Sequence, residues 1–129
     1  MNKVLVDSSV WISFFKGTEE SKILFPLLEA NQICINDLIL AELVPSLNHK
    51  RENEIAKLLQ SIERAPLDID WVDIMRMQTV NLKHGINKVG IPDLIIVQNA
   101  IQNNIHLLSL DRHFALMKGQ FGFKMMDLR

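Results

Sequence analysis

Four carboxylates stand where an α/β chain does its chemistry. Asp7 directly follows the apolar run Val4-Leu5-Val6, and Asp111 follows the run from Ile105 to Leu110. Such runs, lacking polar alternation, read as buried strands of a parallel sheet. Ligands bind these sheets outside the carboxyl ends of the strands, where both aspartates fall. Glu42 lies in Leu38-Ile39-Leu40-Ala41-Glu42-Leu43-Val44, apolar nearly all round. That pattern predicts a largely buried helix, in which an ionised carboxylate is costly unless compensated. Asp93 follows Gly90-Ile91-Pro92 and opens a further apolar helix, so it is expected to point towards the sheet edge.

Each acid has an ordinary reading when taken singly. Asp7 and Asp111 can cap the helices that follow them. Asp93 suits the positive end of a helix dipole, worth about 0.3–1 kcal/mol, and Glu42 can reach solvent from a helix edge. Together they gather at one edge of the sheet. Two carboxylates about 4 Å apart repel by roughly 4 kcal/mol at an effective dielectric near 20. Such a cluster raises pKa values or recruits a cation. Carboxylates with water suit the hard ions Mg²⁺ or Mn²⁺. His49, His84, His106 and His113 show no ligand spacing and are expected as surface or packing residues.

The elements that must position these acids follow from punctuation. Val4–Val6 predicts a strand, followed by a helix from Val10 to about Lys16, capped by Ser8 or Ser9 and stopped by Gly17. Residues 19–30 carry apolar positions at helical spacing, with Pro26 expected to bend or split them. Gln32 to Ile35 reads as a second strand. Asn36 or Asp37 caps a helix from Leu38 to Val44, broken near Pro45. Lys50 to Arg64 is amphipathic, with Ile55, Leu58, Leu59 and Ile62 expected on one face. Pro66 to Ile69 reads as a brief extended piece. Asp70 caps a helix through Lys83, ended by Gly85. A helix then runs from Gly90-Ile91-Pro92 to about Asn103. Ile105 to Leu108 reads as a strand, Asp111 caps a last short helix, and Phe123 to Met125 is a candidate edge strand. Strands alternating with helices imply a parallel sheet covered on both faces.

Composition narrows the classes. The 129 residues suit one domain, 1–129, and 48% hydrophobic content excludes a disordered chain. A net charge of -1, from 14 basic and 15 acidic side chains, excludes affinity built mainly on many phosphate contacts. Cys34 is the single cysteine, which rules out an intramolecular disulfide and a cysteine zinc site. No apolar stretch approaches the roughly 20 residues of a membrane span, and nothing after Met1 reads as a signal peptide. A reducing, cytoplasmic setting is expected.

The stretch Val4-Leu5-Val6-Asp7-Ser8-Ser9-Val10-Trp11-Ile12 resembles the opening of a PIN domain. So do Leu40-Ala41-Glu42-Leu43, Ile91-Pro92-Asp93-Leu94-Ile95-Ile96 and Leu107-Leu108-Ser109-Leu110-Asp111-Arg112-His113-Phe114. Their order and spacing, over nearly the whole chain, are similar to those of VapC-type toxins of toxin–antitoxin pairs. The resemblance implies a three-layer α/β/α fold with a central parallel sheet, and an endoribonuclease dependent on Mg²⁺ or Mn²⁺. Carried over by position, it implies Asp7, Glu42, Asp93 and Asp111 as the catalytic acids, with Asp7 and Asp93 on the principal metal. Ser9 or Ser8 takes the family's hydroxyl position after the first acid, and Ser109 the one before the last. Gln98 and Asn99 depart from a stretch usually made of small apolar residues, and Asp37 adds an acid that is an N-cap or an outer neighbour of the metal.

An RNA substrate would need cations, with Lys16, Lys50, Arg51, Lys83, Lys88 and Arg112 as candidates. Arg112 ranks first because it adjoins Asp111. The resemblance further implies a homodimer and a cognate antitoxin, a segment of which packs in an apolar groove and blocks the acids. Trp11 and Phe15, four apart, share the helix face that could offer the groove. Two other readings stay open. One is a PIN scaffold that binds RNA or protein without cleaving. The other is a phosphoacceptor domain or an Asp-x-Asp phosphatase, against which Ser8 and Ser9 stand where those chemistries need acids.

Overall fold

Three short strands form the centre: β1 (Val4–Val6), β2 (Ile33–Cys34) and β3 (His106–Leu108), all parallel in the order β2-β1-β3. The computed structural model describes residues 2–127. Leu5 pairs with Cys34 on one side and Leu107 on the other. Successive strand residues face opposite sides of a sheet. Leu5 and Val6 are both at 0% exposure, so helices cover both faces. The first crossover runs from β1 to β2 and the second runs back from β2 past β1 to β3, so right-handed connections put their helices on opposite faces. This is the expected three-layer α/β arrangement.

Seven helices lie among the described residues. α1 (Ser8–Phe15) and α2 (Leu24–Glu29) link β1 to β2. α3 (Asp37–His49), α4 (Asn53–Ser61), α5 (Trp71–Lys83) and α6 (Ile91–Asn103) link β2 to β3, and α7 (Arg112–Phe121) follows. The caps of α5 and α7 are those expected: Asp70 accepts from the Asp73 amide, and Asp111 from the His113 amide. Gly85, at φ +75°, ends the α5 region in a conformation that favours glycine.

Several elements differ from expectation. The cap of α1 is Asp7 rather than Ser8 or Ser9, because the Asp7 carboxylate reaches the Ser9 amide. The pattern over 19–30 is divided: turns precede α2, and Pro26 falls in its first turn, where a missing N–H is tolerated. α3 is not broken at Pro45 but runs on to His49. An interior proline costs about 3 kcal/mol or more, and burial of Leu47 and packing of α3 against α4 offset it. Leu58 is 59% exposed, and the inner face of α4 is carried by Ala56 and Leu59. Residues 66–69 form no strand, although Arg64 makes a parallel bridge to Ile35. Of Phe123 to Met125, only Met125 bridges to Leu107.

A buried amide pair ties the second crossover together. Asn36 caps α3 by accepting from the Ile39 amide, and its Nδ2 donates to Asn99 Oδ1 on α6 at 3.0 Å. Asn99 Nδ2 donates to the Pro66 carbonyl at 2.9 Å. Gln98 is likewise buried and donates to the Asp70 carbonyl and to Asp73. The two departures in this stretch are thus packing residues, each supplying partners to backbone that would otherwise be buried without them.

A candidate metal-binding site at the sheet edge

The site begins where β1 and β3 end. The Asp7 amide donates to the Leu108 carbonyl at 3.0 Å, extending the ladder one residue past the strand. This fixes Asp7 against the β3–α7 loop. The residue is 3% exposed. Asp7 Oδ1 accepts from the Ser9 amide, and Oδ2 accepts the Ser109 hydroxyl at 2.5 Å. Ser109 Oγ also accepts the Asp111 amide at 2.9 Å, and Ser9 Oγ accepts the Leu110 amide at 3.0 Å. Both expected serines therefore brace the first acid, and they tie it to the loop that carries the last one.

The other acids come from helix starts and one helix face. Asp93 is in the first turn of α6, half-buried, and Asp111 precedes α7. Glu42 lies on an exposed face of α3 with Ala41, Pro45 and Ser46. The expectation of a helix buried all round is corrected here: only one side of α3 packs inward, and Glu42 opens to solvent in the cleft.

The four acids feel one another's charge. Burial pushes the Asp7 carboxyl above the ordinary carboxylate range, outweighing its hydrogen bonds from Ser109 and Ser9, with Asp111 adding to the rise. Desolvation raises Glu42, followed by the negative charges of Asp7 and Asp93. Desolvation also raises Asp93, reinforced by Asp111 and Asp7 and opposed by His113. Among the described residues no lysine or arginine makes an ion pair with any of the four. A carboxylate cluster with no lysine or arginine to offset it fits a hard divalent cation.

His113 is the residue that sequence reasoning missed. Its Nδ1 lies 3.2 Å from Asp111 Oδ1 and 3.9 Å from Asp93 Oδ2, and one ligand atom from each of the three lies within 4.8 Å of the others. Histidine-to-histidine spacing could not reveal it, because its neighbours are acids. Its place two residues after Asp111, in the turn that Asp111 caps, was the available sign. Asp37 is not near this cluster by any contact: it is exposed and pairs with Arg64 at 3.2 Å. Arg112 is exposed on the first turn of α7 and makes no ion pair among the described residues.

An apolar cleft of about 260 Å³ opens beside Glu42, lined by Ile12, Phe15, Leu43, Leu47 and Ile55, with Lys16 and Lys50 at its walls. Trp11 takes no part in it; it is 2% exposed and belongs to the core. Ile12, one position on, turns outwards instead.

No helix among the described residues is long and apolar enough to cross a membrane. No curated protein sequence matches the chain. Solved structures do. DNA-bound VapBC from Salmonella typhimurium has a chain 17% identical, with a TM-score of 0.76 and 100% of both chains covered. A toxin–antitoxin complex from Klebsiella pneumoniae is similar at 22% identity, TM-score 0.67 and 98% coverage of each chain. FitAcB from Neisseria gonorrhoeae gives 17% identity, TM-score 0.68 and 97% coverage of each. At these identities the likeness speaks for the fold. The sequence itself matches the PIN domain over residues 4–120, a span that takes in all three strands and all four clustered acids, and the chain therefore belongs to the PIN domain family.

Proposed function

We propose that this protein is a divalent-metal-dependent endoribonuclease, acting in the cytoplasm as the toxin of a toxin–antitoxin pair. The observation that carries the reading is the cluster of Asp7, Glu42, Asp93 and Asp111, with no lysine or arginine paired to it among the described residues. PIN domains are generally nucleases, which supports a phosphodiester as the bond attacked. Asp7 and Asp93 would hold a Mg²⁺ or Mn²⁺ ion, with Glu42 and Asp111 beside it. When bound, such an ion neutralises phosphate charge and makes water a stronger nucleophile.

The remaining work falls to side chains. Ser9 and Ser109 hold both oxygens of Asp7, so this acid presents one fixed geometry. Glu42 is solvent-accessible with a raised pKa, which suits it to accept a proton from the attacking water. Arg112, exposed beside Asp111, is the candidate for holding the substrate phosphate. A net charge of -1 makes non-specific RNA binding weak, so selectivity would come from RNA shape and unpaired bases.

The apolar cleft supports an antitoxin partner, because a segment seated on Ile12, Phe15 and Leu43 would end at Glu42. An exposed apolar stripe on α5, with Val72, Met75 and Leu82 beside Trp71, supports a homodimer.

The test is cleavage of a structured-RNA pool by partner-free protein with Mg²⁺ or Mn²⁺, with chelator, and with Asp93→Asn. Metal-dependent cutting lost in the variant is the expected result. Folded protein that never cuts would favour a scaffold that binds without cleaving.

A further inference from the structure

The four-acid reading leaves the imidazole of His113 unused, yet the fold aims it into the cluster. Nδ1 is 3.2 Å from Asp111 Oδ1 and 3.9 Å from Asp93 Oδ2. Two donors on one ion, each about 2.1 Å from it, are separated by roughly 3.0 Å when adjacent and 4.2 Å when opposite. The distances from Nδ1 fall within that span. The three side chains come from two separate supports: Asp93 from the first turn of α6, and Asp111 and His113 from the N-terminal turn of α7. Asp111 Oδ1 accepts the His113 amide at 2.9 Å, which holds ring and carboxylate on the same side of the turn.

We propose that Asp93, Asp111 and His113 form a mixed oxygen and nitrogen site that selects Mn²⁺, and later first-row ions, over Mg²⁺. The inference rests on the metal-site reading above and deepens it. Mg²⁺ keeps its waters and takes oxygen donors almost exclusively, so an imidazole adds nothing to its binding. Transition-metal ions accept imidazole nitrogen readily. In the competing arrangement, the Nδ1 proton of His113 simply donates to the Asp111 carboxylate. The ring would then orient that carboxylate for any cation alike, without choosing among them.

The experiment is calorimetric titration of Mn²⁺ and Mg²⁺ into the wild type, His113→Asn, His113→Asp and Asp93→Asn, with folding checked by circular dichroism. Pulsed electron paramagnetic resonance of the Mn²⁺-loaded wild type accompanies it, with and without ¹⁵N-labelled histidine. The wild type is expected to prefer Mn²⁺ by at least about 10-fold. His113→Asn puts an oxygen or amide near the Nδ1 position, and His113→Asp makes the site all-oxygen. Both should shrink the preference while leaving Mg²⁺ binding in place. The wild type should show a nitrogen coupling to Mn²⁺ that changes isotope pattern with ¹⁵N-histidine, a readout needing no substitution. An unchanged preference in folded variants, or no histidine nitrogen coupling, would overturn the role of His113 and leave the four-acid site standing. Failure of the wild type to bind either ion, or Asp93→Asn binding both as well as wild type, would overturn the metal site itself and this inference with it.

Discussion

Ser109 donates its hydroxyl to Asp7 Oδ2 across 102 positions of sequence and, with the same oxygen, accepts the Asp111 amide. One hydroxyl thus couples the first acid of the cluster to the turn carrying the last. Ser109→Ala removes a donor from a buried carboxylate and a partner from a backbone amide. A loss of about 1–3 kcal/mol in urea unfolding is expected, together with a further rise of the Asp7 pKa. Unchanged stability would mean that water replaces the hydroxyl at both groups.

Asp7→Asn should separate folding from function. The folded Asp7 carboxyl titrates above its ordinary value of 3.8 because it is buried. A proton therefore binds the folded state more tightly than the unfolded one. The favourable contribution is full below the unfolded pKa and disappears as pH rises through the folded one. The uncharged Asn variant escapes that loss. In chelator it should equal wild type near pH 3 to 4 and melt at a higher temperature at neutral pH, if its amide keeps the Ser9 contact. Its RNA cleavage should fall by about 10²–10⁴-fold. Melting scans across pH and a cleavage assay check the two halves independently.

Metal should reverse the acid dependence. Asp7, Glu42 and Asp93 are all raised, so each destabilises the metal-free fold as pH climbs past its unfolded value. A divalent ion binds the deprotonated carboxylates, so its stabilisation should grow with pH over the same window. Scans with Mn²⁺ and with chelator should therefore diverge towards neutral pH and converge in acid. Parallel curves would show that the ion does not engage these groups.

Much of this arrangement was legible before folding. The apolar runs ending at Asp7 and before Asp111, and the caps Asp70 and Asp111, sit beside punctuation that local chemistry dictates. What escaped was decided by tertiary contacts. Pro45 ends a helix in isolation, but α3 continues because its far end is buried against α4. Trp11 and Ile12 are adjacent and both apolar, and only the neighbouring helices determine that the first is core and the second lines the cleft. Glu42 looked enclosed by apolar neighbours, yet α3 buries one side only. His113 was invisible to ligand spacing because its partners come from another helix and from the preceding loop.

The Asn36–Asn99 pair should behave as a coupled unit. Asn36→Ala removes both the cap of α3 and the partner of Asn99 Oδ1, with a loss of about 2–3 kcal/mol expected. A double-mutant cycle with Asn99→Ala should give a coupling of at least about 0.5 kcal/mol. Additive losses would show that the two amides act separately.

Self-association through α5 is testable by one charge. Met75 is 62% exposed on the stripe with Val72 and Leu82. Met75→Lys should convert a dimer to a monomer in sedimentation without altering the fold. A dimer that survives it would lie on another face.

On the proposed function, the order β2-β1-β3 has a consequence for when the active centre can assemble during synthesis. The strand that leads into Asp7 is made early, but only one oxygen of its carboxylate has a local partner, the Ser9 amide; the other is held only when Ser109 arrives beside it. A ribosome therefore carries a chain with three of the four acids translated and no assembled centre. On the proposed function, synthesis itself keeps the emerging nuclease harmless. On the same reading, a restraining partner would have until β3 docks to be present.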